Sequence, residues 1–169
     1  MGYVHDEHMA HFIHPGDFEM SAGTWAVTES SNVVSNDRTA ADASVTVLVP
    51  IRIPSNSKAL KGTKLTSIDV GYLVGTAAAD DFATVELEKV TIGADNVAAA
   101  GEAVGITMDT AHDTAAERKA ADDHTMTITI DDPEFLDVGD CYWLKMVIDC
   151  AATTVLKFYG AIAHFTLRQ

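Results

Sequence analysis

The sequence predicts an all-β protein, an antiparallel β-sandwich of jelly-roll type with an extended N-terminal arm. Three observations predict it. Six or seven stretches alternate apolar and polar residues with the period of two that marks a half-buried strand. No long stretch carries the 3.6-residue apolar period of a helix. The connections between the alternating stretches are very unequal, which suits two sheets joined by crossings better than the short even loops of an up-and-down barrel.

The clearest strand is at the C-terminus. From Cys141 to Asp149, Tyr142, Leu144, Met146 and Ile148 share one face, and Cys141, Trp143, Lys145, Val147 and Asp149 share the other. Cys150 to Thr154 breaks the pattern for about the length of a hairpin loop. Val155 to Leu167 then resumes it with Phe158, Tyr159, Ile162 and Phe165. Together the two runs predict a central hairpin carrying the largest apolar areas of the chain.

Earlier elements follow in order. Residues 1–22 show neither period, and hold His5, His8, His11 and His14 at a strict spacing of three. In a polyproline II conformation that spacing lines one edge with imidazoles. The few apolar anchors, Phe12, Ile13 and Phe18, cannot build a core of their own, so the segment reads as an arm that orders on another chain. These seven residues are the predicted partner-binding set, and removing the arm is expected to leave the domain, residues 23–169, folded. Trp25 anchors entry to the fold, and Glu29 to Ala43 has loop composition. Val45 to Ile53 alternates, with Pro50 marking an edge or a bulge. Leu65 to Val74 places Ile68, Val70, Tyr72 and Val74 on one face and Gly71 on the other. In Phe82 to Ile92 the apolar residues change face, which predicts a bulge near Lys89. Thr114 and Glu117 have the spacing of a capping box, so Ala115 to Ala121 is expected to make one or two helical turns. His124 to Ile130 is a last strand, ended by Asp131-Asp132-Pro133.

Composition narrows the function classes. A chain of 169 residues suits one domain. With 25 acidic against 11 basic side chains the formal charge is −14, a field that repels phosphate backbones and anionic membranes, so no direct nucleic-acid or membrane partner is expected. Arg52, Lys58, Lys61 and Lys64 form a small basic cluster, read as a solvated loop. Cys141 and Cys150 bracket one strand and stand about 30 Å apart, too far to pair.

Candidate chemistry is sparse. The histidine row invites a metal, but one extended segment without Cys is a poor cage, and neither metal nor cofactor is expected. The carboxylates at Asp131, Asp132, Glu134, Asp137 and Asp140 lack the spacing of a calcium loop and read as turn residues. Cys141, His124 and an Asp make a triad only on paper, with no motif to order them, so no enzyme is expected. Trp25, Tyr72, Trp143 and Tyr159 are candidates for stacking on sugars, weighed against burial in the core.

The run Val47 to Pro54 followed by Thr66 to Tyr72, the segment His112 to Arg118, and Gly139 to Leu144 with Phe158 to Gly160 resemble small β-sandwich structural proteins of tailed bacteriophage virions. The likeness covers roughly residues 45–169. The resemblance implies a capsid decoration (cement) protein, made in the host cytoplasm and found on the particle surface. It also implies a homotrimer that binds the major capsid protein or other virion subunits. The alternative is a tail or fibre-tip binding module that recognises a receptor or glycan.

Overall fold

The computed structural model describes residues 6–52, 62–75, 77–92, 101–137 and 139–168. They form an antiparallel β-sandwich of jelly-roll type, as the alternation predicts. The strands are β1 (Asp6–Ile13), β2 (Glu19–Met20), β3 (Trp25–Ser30), β4 (Val33–Arg38), β5 (Ala43–Ile51) and β6 (Thr63–Gly75). They continue with β7 (Asp81–Thr91), β8 (Glu102–Val104), β9 (Ile106–Met108), β10 (Asp122–Ile130), β11 (Asp140–Cys150) and β12 (Val155–Arg168). One sheet runs β3-β4-β12-β6-β10-β9, with β1 also paired to β12; the other runs β2-β5-β11-β7-β8. Inward side chains of both sheets interlock in one core, in which Val47, Ile68, Tyr72, Leu87, Ile128, Leu144 and Phe158 are fully buried.

The first corrected expectation concerns the N-terminal segment. It is extended but not free: β1 pairs with β12 over eight residues, from Asp6 opposite Arg168 to Ile13 opposite Ala161. A one-turn 3-10 helix at Pro15–Asp17 follows, docked by the buried Asn36 side chain, which donates to the Pro15 carbonyl at 3.1 Å. Ile13 (3% exposed) and Phe18 (5%) lie in the sandwich core, with the Phe18 ring 5.5 Å from that of Phe158. The physical reason lies in β12, which is longer than β4 can cover. β4 meets it only at Lys157 and Phe158, so β1 takes up the hydrogen-bonding edge from Ala161 onwards. Gly160 stands at the junction with φ of +119°, where a Cβ would come within 2.7 Å of the Ile13 carbonyl oxygen.

β11 and β12 are not a hairpin. β11 pairs with β5 and β7 in one sheet, and β12 with β1, β4 and β6 in the other. The connection between them is therefore an arch across the core, pinned where the buried Thr154 donates its hydroxyl to the Ala78 carbonyl at 3.2 Å.

Of residues 29–43, only the stretch 39–42 and the turn at 31–32 lie outside strands. β3 and β4 form a hairpin closed by Ser31 and Asn32, both at positive φ (54° and 66°) as a two-residue turn of this kind requires. The bulge in β7 also lies elsewhere than expected. Its register with β11 is continuous past Lys89 and shifts between Val147 and Asp149, which face Thr84 and Asp81, so the change of face falls between Phe82 and Val85. Pro50 sits on β5 beyond the two residues that β2 covers, at the sheet edge as expected.

The capping box forms as predicted. Thr114 Oγ1 accepts from the Glu117 N–H at 3.3 Å, and Glu117 Oε2 accepts from the Thr114 N–H at 3.0 Å, starting α1 (Ala115–Arg118). From α1 the buried Arg118 guanidinium reaches β7. It donates to the carbonyls of Phe82 (2.9 Å), Ala83 (3.1 Å), His112 (2.8 Å) and Asp113 (3.2 Å). The Tyr72 hydroxyl of the opposite sheet donates to the Arg118 carbonyl at 3.0 Å, so α1 ties the two sheets together.

Candidate functional site

The predicted partner-binding residues do not form one row. His5 lies outside the described residues. His8 and His11 stand opposite Thr166 and Ala163, and three steps along a strand put them on opposite faces. His14 caps the short helix, its Nδ1 accepting from the Gly16 N–H at 3.0 Å. Ile13 and Phe18 are core residues. Only Phe12, 57% exposed beside Ile162 at 38%, presents apolar surface to solvent. Among the described residues no three His, Cys, Asp or Glu side chains converge on a point where a metal could sit. Asp140 and Asp131 accept from the hydroxyls of Thr91 (2.6 Å) and Thr107 (2.7 Å).

The four aromatic candidates separate by burial. Tyr72 is fully buried and stacked on His124 with centroids 4.6 Å apart. Trp25 is half-buried, 6.0 Å from the Phe158 ring. Trp143 is half-buried on the outer face of the five-stranded sheet, between Pro50 and Glu88. Tyr159 lines a groove.

That groove is about 400 Å³ and is bounded by Ser30, Val33, Ser35, Leu73, Lys157 and Tyr159. A bulge builds its aromatic wall. Phe158 pairs with Tyr72 and Gly160 with Gly71, so Tyr159 is the extra residue and projects from the outer face of the seven-stranded sheet. Gly71 lies beside Tyr159; a Cβ there would make an ordinary van der Waals contact with the Tyr159 Cβ at 3.5 Å. The β3–β4 hairpin supplies the opposite wall, because its tight turn carries Ser30, Val33 and Ser35 up beside β12.

The groove's polar groups are fixed. Asp37 Oδ2 accepts from Lys157 Nζ at 2.7 Å and from the Thr28 hydroxyl at 3.0 Å, and Oδ1 accepts from the Ser35 hydroxyl. Burial pushes the Asp37 carboxyl up, but the hydrogen bonds from Lys157, Ser35 and Thr28 outweigh it and hold the group below the ordinary carboxylate range. Because the folded state depresses this carboxyl, its contribution to stability is present above the unfolded value and is lost as pH falls through the folded one. The ion pair is thus expected to stand intact at neutral pH and to open only well into acid, which the Lys157 side-chain resonances in an NMR titration would report. Across the ring, the Tyr159 hydroxyl donates to Asp123 Oδ1 at 3.2 Å, and burial followed by the Asp123 charge raises the phenol. Both effects keep it a donor.

Sequence reasoning found Tyr159 and missed the rest of the groove. Ser30, Val33, Ser35 and Asp37 lie in the stretch read as loop. The available signal was Ser31-Asn32 between two β-branched stretches, a two-residue turn with Asn suited to positive φ. A second cavity of about 240 Å³ opens between Leu65, Lys89, Glu102, Ile130, Glu134 and Tyr142. Its lysine is held by Glu102 at 3.1 Å, and Tyr142 is buried, so it offers no exposed ring.

No protein-family model matches the chain, and no curated protein matches its sequence. Among solved structures it is similar to a family 29 carbohydrate-binding module from Piromyces equi, at 12% identity and a TM-score of 0.38, covering 93% of this chain and 90% of that one. It is also similar to a CBM4 structure, at 12% identity and a TM-score of 0.35, covering 88% and 94%. Likeness at this level carries neither a ligand nor a site residue over to this chain.

Proposed function

We propose that this protein is a binding module for a neutral glycan, held in the groove beside Tyr159. One observation carries the reading: a bulge turns a half-exposed tyrosine ring out of the sheet to face a pre-formed ion pair and hydroxyls across a groove of about 400 Å³. A sugar ring has apolar C–H faces and a polar rim of hydroxyls. The Tyr159 ring, Leu73 and Val33 suit the former. Lys157, Asp37 and Ser35 suit the latter, since charged partners make the stronger hydrogen bonds. With a formal charge of −14, the field disfavours phosphorylated or otherwise anionic ligands, so the ligand is neutral.

Titration calorimetry against a panel of neutral oligosaccharides tests this. For the best ligand, Tyr159→Ala is expected to weaken binding by about thirtyfold, the loss of one aromatic hot spot, while the melting temperature stays near wild type. Equal affinity in the variant, or no binding across the panel, would sink the proposal.

A second reading is favoured by a different observation, the exposed Phe12 and Ile162 side by side on β1 and β12. Apolar surface at a sandwich margin suits cover by another protein subunit. Under this reading the chain is a trimeric virion decoration protein of the kind it resembles. Sedimentation showing only an 18 kDa species, with no uptake onto phage heads, counts against it.

A further inference from the structure

Away from the groove, the connection from β9 through α1 to β10 holds a hydrogen-bonded chain of ionisable groups whose protons can be counted. Asp109 accepts from the N–H groups of Thr127 (2.7 Å) and Ala111 (2.9 Å). Burial pushes its carboxyl up, but these bonds and His112 hold it below the ordinary range, so it is ionised and can only accept. His112 Nδ1 lies 2.8 and 3.0 Å from its two oxygens and therefore carries a hydrogen. At the far end, His124 Nε2 lies 3.0 Å from the Ala120 carbonyl oxygen, also an acceptor only, and therefore carries a hydrogen too.

The two remaining nitrogens, His112 Nε2 and His124 Nδ1, face each other at 3.2 Å. Were both rings neutral, each of these atoms would present a lone pair to the other at hydrogen-bonding distance. His112 is buried, so water does not relieve the repulsion. A cation between them does. The surroundings suit one positive charge: the Asp109 carboxylate balances it, and the Tyr72 ring stacks on His124 with planes 13° apart, presenting its electron-rich face.

We propose that His112 and His124 share one extra proton in the folded protein at neutral pH, with Asp109 as counter-ion, and so form a proton-dependent clasp. The clasp pins residues 109–118 against β10. The charged and titratable groups near it are Asp109, Asp113, Glu117, Arg118 and Lys119 on the connection, Tyr72 on β6 and Asp81 on β7, while the exposed Asp122 and Asp123 precede His124 on β10 and Asp123 accepts from the Tyr159 hydroxyl. Arg118 opposes the added charge and the carboxylates favour it. Because this same segment carries Arg118 to the β7 carbonyls, loss of the proton loosens the tie between the sheets at this end.

Nitrogen NMR of the full chain reads the proton count directly. At about pH 7.5 neither His112 Nε2 nor His124 Nδ1 is expected to show the shift of a bare imidazole nitrogen, and one slowly exchanging proton should correlate with the pair. Asp109→Asn, which keeps the shape and removes the counter-charge, should expel the proton at about pH 7.5; should that variant not fold, the wild-type spectrum decides alone. Two bare, neutral-type nitrogens in wild type would overturn the proposal. So would a shift of both nitrogens on adding zinc to chelator-treated protein, which would place a metal where the proton is assigned.

Discussion

Removing residues 1–18 is expected to unfold the protein, or to leave a collapsed state without fixed packing. The deletion withdraws Ile13 and Phe18 from the core and uncovers the Phe158 ring 5.5 Å from Phe18. Large-to-small changes at such positions cost about 2–5 kcal/mol for Ile and about 3–5 kcal/mol for Phe. Neighbouring sites do not add strictly, yet a loss of about 5 kcal/mol or more rivals the whole stability of an ordinary domain, about 5–15 kcal/mol. It also strips β12 of its β1 partner from Ala161 onwards, leaving that edge unpaired and open to aggregation while β6 still holds the other. Near-ultraviolet circular dichroism of the truncated chain checks this, and a native spectrum with a wild-type melting temperature would show that β1 is dispensable.

Arg118→Met should be the most damaging single substitution on the connection, at about 3–5 kcal/mol. Methionine replaces the stem but none of the donors, so the carbonyls of Phe82, Ala83, His112 and Asp113 lose their partner together. Burial pushes the guanidinium below its usual range, but no carboxylate contact is needed to hold it, because these carbonyls surround it. By contrast, Thr114→Ala removes one cap of a one-turn helix and is expected to cost about 1 kcal/mol. Urea melts of the two variants compare them, and equal midpoints would contradict the bridging role given to Arg118.

Strands were legible in the sequence wherever one face is wholly buried. β5, β10 and β11 alternate cleanly, β6 does so from Ile68 onwards, and the buried set of β11 is the apolar set read from it with Cys150 added. What alternation does not encode is the partner. The four residues between Cys150 and Val155 serve a hairpin or an arch equally well, and only burial of Thr154 and the pairing of β11 with β5 and β7 decide between them. β1 was obscured because both of its faces are exposed and mix polar with apolar residues; of its eight residues only Ile13 is buried. Its place in the sheet comes from backbone pairing, which leaves no side-chain period to read.

The groove was legible in one residue. Tyr159 is a visible aromatic, but its outward direction depends on a bulge opposite Gly71, and its neighbours come from β3, β4 and β6 through pairings no local pattern announces. Arg118 was hidden similarly: the capping box marked the turn of helix, and nothing in the sequence marked the β7 carbonyls that receive the guanidinium.

The most direct test of the glycan reading is to map the site by proton–nitrogen NMR while titrating the tightest neutral oligosaccharide. The account predicts that shifts concentrate on Ser30, Val33, Ser35, Leu73, Lys157 and Tyr159, the residues that line the groove. Shifts centred instead on the Trp143 face of the five-stranded sheet, with the groove unchanged, would contradict it.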